Sequence, residues 1–367
     1  MKALHGLCIF LVSVSIPLSA QQPSSSIASA ATNTPSQPAP SGSGGKNRQI
    51  NLDVVVTDKS GKPQAGLQEQ DFTLLDDKTP QKVFSFGSVI EPPVKADAPV
   101  EIVLLLDTVN TPSDAISDAR RHLDKYLRQN GGKLAYPTSL AVFSSAGLKM
   151  GAASLDGNAL GEILKANNDI GLTSIHDPKS SAGGTDLFVK SIGALNCLIA
   201  TKAKVPGRKI VIWIGSGWPL LAGSEVRMGP KPKQDLFTSV VAASTALRLA
   251  RVTLYNVDPG GSAVNVSKLA DKFGYESFVK GVTNPNSVSP ANLALQVLAT
   301  QTGGRVLING NDISGQIQSC VEEANAFYVL SFAGSPAERP DQYHTVELKV
   351  NRPGLSARTS TGYYAQP

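Results

Sequence analysis

The chain has 367 residues, enough for about two domains at ~150 residues each. Hydrophobic residues make up 41% and charged residues 17%, a globular balance that excludes a wholly disordered or fibrous chain. The net charge of +5 is scattered, with Arg120, Arg121, Arg248 and Arg251 on helical patterns; no basic stripe is interleaved with aromatics, so no nucleic-acid partner is expected.

Residues 1–20 read as a secretory signal. Lys2 supplies the charge, 7–16 the apolar core, and Leu18, Ser19 and Ala20 the small residues of a cleavage site, so the mature chain starts at Gln21. The core is too short to span a bilayer. An uncleaved anchor is the other reading, and Cys8 sits inside the core where a lipoprotein site does not. The expected address is secreted or periplasmic, with no membrane span after cleavage. Removing Lys2 takes the charge from +5 to +4. Residues 21–47 are Ser, Pro, Gly and Ala with few large apolar side chains, a disordered linker.

Residues 48–98 form a β-rich flank. Leu52, Val54 and Val56 alternate with Asn51, Asp53 and Val55, which is strand periodicity. A turn at 58–62, a strand at 71–75, a turn at 76–78 and a strand at 81–86 follow, and Pro92-Pro93 closes the unit. Three short strands need a partner layer.

Residues 99–326 alternate strand and helix. Strands are expected at 102–106, 139–143, 148–150, 209–214, 252–257 and 305–308. Helices are expected at 113–128, 157–166, 186–201, 234–250, 290–300 and 313–326. Ile116, Ala119, Leu123 and Leu127 place one apolar face on the first helix. The fold class is α/β, a doubly wound and mostly parallel sheet. The run 102–106 is apolar throughout, as in a strand buried on both faces. It ends on Asp107, at the carboxyl edge where such sheets place ligands. Residues 327–367 return to strand patterns at 327–332, 345–350 and 356–364. The two flanks, each too small alone, are expected to pair into one antiparallel β-sandwich into which the α/β domain is inserted.

Three stretches carry a resemblance. The strand ending in Asp107, Val109 and Thr111, the segment GGTDL at 183–187, and RKIVIWIGSG at 208–217 resemble a von Willebrand factor A domain. DVVVTD at 53–58, Gly66-Leu67, Asp71-Phe72, LYNVD at 254–258 and Tyr363-Tyr364 are similar to the acidobacterial secreted proteins carrying a VWFA-related domain. The resemblance implies a metal-ion-dependent adhesion site: Asp-x-Ser-x-Ser after the first strand, a loop Thr, and an Asp after the fourth strand. A hard dication such as Mg²⁺ takes those oxygens in near-octahedral geometry.

Here the match is partial. Asp107, Thr111 and Thr185 fit, Val109 replaces the first Ser, and Ser216 replaces the second Asp. A degenerate site is expected: no cofactor, or weak Mg²⁺ or Mn²⁺ on Asp107, Thr111, Thr185 and Ser216. Asn110 or Asp186 turned inward would compensate. As a relic of the fold, Asp107 would instead be held by loop amides and Thr185 would cap a helix. The implied sheet order, 3-2-1-4-5-6, puts Cys197 and Cys320 on opposite faces, so two buried, unbridged thiols are expected.

The function expected is an exported, adhesion-type protein-binding module. Its rim comprises Asn110, Asp186, Trp218 and Arg227, on the loop after the first strand, the GGTDL segment and the loop 217–233. Trp218 with Leu220 and Leu221 folded back as a lid is the alternative to an exposed apolar patch. A structural envelope assembly protein without a rim ligand is the second reading. A serine hydrolase using Ser216 is the third, and no enzyme is expected. The motif around Ser216 is not Gly-x-Ser-x-Gly, and His176 is the one base available to it.

Overall fold

The computed structural model describes residues 48–90, 100–166, 181–221, 228–260, 274–308 and 310–367. The expected signal and linker, Pro92-Pro93, His176 and Arg227 lie outside the described residues. The chain enters through β1 (Gln49–Thr57), β2 (Phe72–Asp76), β3 (Thr79–Pro80) and β4 (Val83–Ile90). It continues as β5 (Val100–Asp107), α1 (Ser113–Leu127), β6 (Lys133–Ser144), β7 (Gly147–Met150), β8 (Ser154–Asp156), α2 (Gly157–Ala166) and α3 (Ser181–Lys202). Then come β9 (Arg208–Ile214), α4 (Pro230–Leu249), β10 (Val252–Val257), α5 (Leu295–Gln301), β11 (Val306–Leu307) and α6 (Ile313–Glu322). It closes with β12 (Ala326–Ala333), β13 (Gln342–Val350), β14 (Ser356–Arg358) and β15 (Gly362–Ala365).

The central sheet runs β11-β10-β9-β5-β6-β7, with β8 on β6. β5, β6, β9, β10 and β11 are parallel. β7 runs antiparallel because only a tight turn through Gly147, at φ 97°, separates it from β6; a parallel return needs a long crossover. In chain order this is the 3-2-1-4-5-6 arrangement. Side chains along β5 alternate between faces. Ile102, Leu104 and Leu106 pack with Ile116, Leu123 and Leu127 of α1 and with Ile317 and Cys320 of α6. Val103 and Leu105 pack with Leu195 and Leu198 of α3, Val240 of α4 and Leu298 of α5. Helices therefore cover both faces, which is why every residue of β5 is buried.

The other two sheets are antiparallel, and each mixes strands from both ends of the chain: β14-β1-β12-β4 and β15-β13-β2-β3. One apolar cluster joins them, drawing on Leu52, Val54, Tyr328 and Leu330 from the first and Leu74, Val346 and Tyr363 from the second. β1 has a second buried face: Val55 joins Phe327 in the core shared with α1 and α6. Val55 thus occupies a position that strand alternation alone would leave to solvent.

The elements differ from the sequence expectations in several places: β3 and β8 were not expected, β6 begins at Lys133, α4 begins at Pro230, and the helix expected at 313–326 ends at Glu322, with Ala326 already in β12. The predicted helix 290–300 is a short 3₁₀ turn at Pro290–Leu293, closed by a Ser289–Asn292 capping box, followed by α5. Ala294 between them is extended, at ψ 145°. The helix expected at 186–201 starts earlier, so Thr185 and Asp186 lie within α3.

Candidate functional site

The rim is the carboxyl edge of the central sheet, around the end of β5. Asp107 is fully buried. Its Oδ1 accepts the backbone N–H groups of Val109 and Asn110, both at 2.9 Å. Its Oδ2 accepts Asn110 Nδ2 and Trp213 Nε1, both at 2.8 Å. Burial pushes the carboxyl up, and the donors from Asn110, Trp213 and Val109 pull it down. These donors hold a buried polar group as an apolar surrounding requires. They also occupy the carboxylate oxygens that a cation would need.

The neighbouring positions follow from this arrangement. Val109 packs against the core on the α3–α4 face, so it offers the rim neither a side-chain oxygen nor an opening. Thr111 is buried, and its Oγ1 accepts the Ser216 N–H at 3.3 Å. Gly215 lets the two loops approach: a Cβ there would lie 2.8 Å from Asp107 Cβ and 2.9 Å from Thr111 Oγ1. The Ser216 hydroxyl donates to Asp258 at the end of β10. Asp258 also accepts the Gly260 N–H at 2.9 Å, and burial raises its carboxyl.

The loop after β5, α3 and the loop after β9 do meet. Asn110 Nδ2 lies 3.0 Å from Ser191 Oγ on α3. A Cβ at Gly184 would sit 3.3 Å from Leu221 Cδ2. Thr185 and Asp186 are exposed on α3, and Asp186 pairs with Lys190 at 2.8 Å. Neither position suits the inward-turned ligand or the helix cap expected of it, because the helix begins upstream of both.

Trp218 is a correction to the exposed patch. It is 3% exposed and meets Trp213 edge-on at 5.1 Å between ring centroids. Its indole completes the aromatic wall that Phe143 and Trp213 begin, so burial of apolar area outweighs exposure there. Leu220 and Leu221 remain half-buried. Lys231 lies in the first turn of α4, not in the loop.

Ser191 was not singled out from the sequence, and Trp213 and Asp258 entered only as members of the segments at 208–217 and 254–258, with no role at the site. Asp258 had the one available signal, an acidic residue closing an apolar strand. Trp213 and Ser191 read as core and helix-surface residues until the sheet order places them beside Asp107 and Asn110. The thiols of Cys197 and Cys320 are not bridged. Cys320 is buried and pushed up to about 12 by that burial, whereas Cys197 is half-buried, not buried as expected.

No family model matches the chain, and no curated protein matches it. Solved structures align with it at low similarity. The human COPII-coat protein Sec24c aligns at 7% identity and TM-score 0.34, over 77% of this chain and 46% of that one. The pilus adhesin SpaC from Lactobacillus rhamnosus GG aligns at 10% identity and TM-score 0.33, over 82% and 49%. Its open conformation aligns at 10% and 0.34, over 86% and 48%. The chain spans about half the length of these proteins, and at such scores the alignments say nothing of what it binds. Among the described residues, no helix is long and apolar enough to cross a membrane.

Proposed function

We propose that this protein is an exported, non-enzymatic, adhesion-type binding module on a von Willebrand factor A-like fold, whose adhesion site works without a metal. The α/β domain, 99–326, is inserted between the flanks 48–98 and 327–367, and the rim of its sheet takes a protein partner. One observation carries the reading. The Asp107 carboxylate has both oxygens bonded, Oδ1 to the Val109 and Asn110 amides and Oδ2 to Asn110 and Trp213 side chains. An adhesion metal needs that carboxylate as a ligand, and dication affinity falls with ligand charge and count. The pair that remains, Ser216 on Asp258, is bonded to itself. The partner therefore meets side chains directly, with Asn110, Asp186 and the half-buried Leu220 and Leu221 on the accessible side.

Calorimetric titration with Mg²⁺, Mn²⁺ and Ca²⁺ tests this, using Asp77→Asn protein to silence a separate cluster described below. No saturable heat is expected. Capture of a purified partner is expected to survive EDTA and to weaken in Leu221→Asp. Mg²⁺ or Mn²⁺ binding that disappears in Thr111→Val would overturn the proposal.

A further inference from the structure

The second antiparallel sheet brings together three groups that the sequence keeps far apart. Asp76 ends β2, Asp77 begins the turn to β3, and His344 lies on β13. The antiparallel pairing of β2 with β13 sets Asp76 against Val346, two residues from His344. The turn through Asp77 and Lys78, at φ 47° and 67°, swings Asp77 back over that strand. Asp77 is pinned there: its N–H donates to Thr345 O at 2.9 Å, and its Oδ1 accepts the Thr345 N–H at 2.8 Å.

The other oxygen, Asp77 Oδ2, lies 2.9 Å from His344 Nδ1, and Asp76 Oδ1 lies 3.6 Å from the same nitrogen. One ligand atom from each of Asp76, Asp77 and His344 falls within 4.8 Å of the others. Asp76 and His344 are 1% and 3% exposed. Yet Asp76 Oδ1 and both His344 ring nitrogens have no hydrogen-bond partner. Nδ1 is close to two carboxylate oxygens and aligned as a donor to neither. Asp76 itself is held from behind, where Oδ2 accepts the Ser335 N–H at 3.0 Å and the Tyr363 hydroxyl at 2.7 Å. His344 is stacked on the Tyr363 ring at 5.2 Å and 11°. Buried polar atoms are ordinarily satisfied, so two such side chains converging on one point indicate a ligand between them.

The spacing identifies its class. With metal–nitrogen bonds of about 2.0–2.1 Å and metal–oxygen bonds of about 2.0–2.2 Å, the edges of a tetrahedral site are roughly 3.3–3.6 Å. The 3.6 Å separation lies at the top of that range and the 2.9 Å one a few tenths of an ångström below it, within reach of a small shift of the partly exposed Asp77. An imidazole with two carboxylates suits a first-row divalent ion better than Mg²⁺, which prefers oxygen alone. We propose that Asp76 Oδ1, Asp77 Oδ2 and His344 Nδ1 form a binding site for a divalent first-row metal, Zn²⁺ by preference. Asp77, whose side chain is 47% exposed, gives the ion its entry, and three protein ligands leave a fourth position for water. Bound there, the ion cross-links the β2–β3 turn to β13. This site belongs to a different sheet from the rim and does not rest on the function proposed for the rim.

The test is Zn²⁺ titration of the EDTA-stripped full chain by calorimetry, repeated with Co²⁺ while its visible absorption is recorded. One equivalent is expected, together with a rise in Tm and a Co²⁺ spectrum of low coordination number. Asp77→Asn, on a partly exposed turn, should keep the wild-type circular dichroism and weaken Zn²⁺ binding by at least roughly 10–100-fold, the loss that even outer-shell changes cause. His344→Gln should abolish the Co²⁺ absorption, and Leu249→Ala, on the exposed side of α4, should leave Zn²⁺ binding unchanged. Absence of saturable Zn²⁺ binding, or binding unaltered by both Asp77→Asn and His344→Gln, would show that the three groups are an ion pair only and overturn the proposal.

Discussion

Asp107 is a buried carboxylate whose neighbours have been arranged to hold it. Replacing it by Ala strands the Val109 and Asn110 amides, the Asn110 side chain and the Trp213 indole. Each unsatisfied buried group costs about 1–3 kcal/mol, not additively, so Asp107→Ala should lose about 3 kcal/mol or more in urea unfolding with or without Mg²⁺. A loss that appears only when Mg²⁺ is present would instead mark a metal ligand. Cys320 makes a second residue-scale prediction. Burial holds its thiol up at about 12, leaving almost no thiolate at neutral pH. Alkylation followed by mass spectrometry at pH 8 should leave Cys320 unlabelled in the native protein and label it above the denaturation midpoint.

At the scale of elements, two carboxylates tie segments together. Asp71, at the start of β2, accepts Arg352 Nε and Nη2 at 2.9 Å each. Those bonds, and the Gln68 amide, hold its carboxyl below the ordinary value. A depressed folded-state value means stabilisation that is complete above the unfolded carboxylate range and lost as pH falls through the folded one. Arg352→Ala should therefore shift acid unfolding, followed by circular dichroism from pH 7 to pH 2, to higher pH. An unshifted midpoint would show that the contact, screened on its Arg352 side by solvent, contributes nothing. Glu323, just beyond α6, is wholly buried. It takes Arg305 at 2.9 Å from before β11, Arg358 at 2.7 Å from β14, and the Tyr255 hydroxyl from β10. Removing one partner of a buried ion pair costs about 3–5 kcal/mol. Glu323→Ala should approach that in urea unfolding, and more than Arg352→Ala does.

At the scale of the molecule, the sheet β14-β1-β12-β4 has two dry faces. Val54 and Leu330 point into the core shared with the other antiparallel sheet, while Val55 and Phe327 point into the core of α1 and α6. Arg251, before β10, clasps Asp53 of β1, and Arg358 bonds both Glu323 and Gly303. The α/β domain and the flanks therefore share contacts that neither keeps alone. The chain's two tryptophans, Trp213 and Trp218, both belong to the α/β part. Trp fluorescence and far-UV circular dichroism should trace one coincident urea transition. Separated curves would mean that the units unfold independently.

Hydrophobic periodicity and strand–helix alternation, read along the chain, already determined the parallel sheet, the burial of β5 and the position of Asp107 at its carboxyl end. These are local properties: each side chain's direction follows from the period of its own element. The absence of a Ser at 109 and an Asp at 216 was equally plain. Tertiary structure alone decided what became of Asp107. Trp213 reaches it from a neighbouring strand 106 positions away, and Trp218 is drawn into the core beside it. Tertiary structure also decided how β1 divides its two faces between two cores, and that His344 lies beside Asp76 and Asp77. Such contacts are set by sheet order and strand register, which join residues hundreds of positions apart and leave no period in the sequence to read.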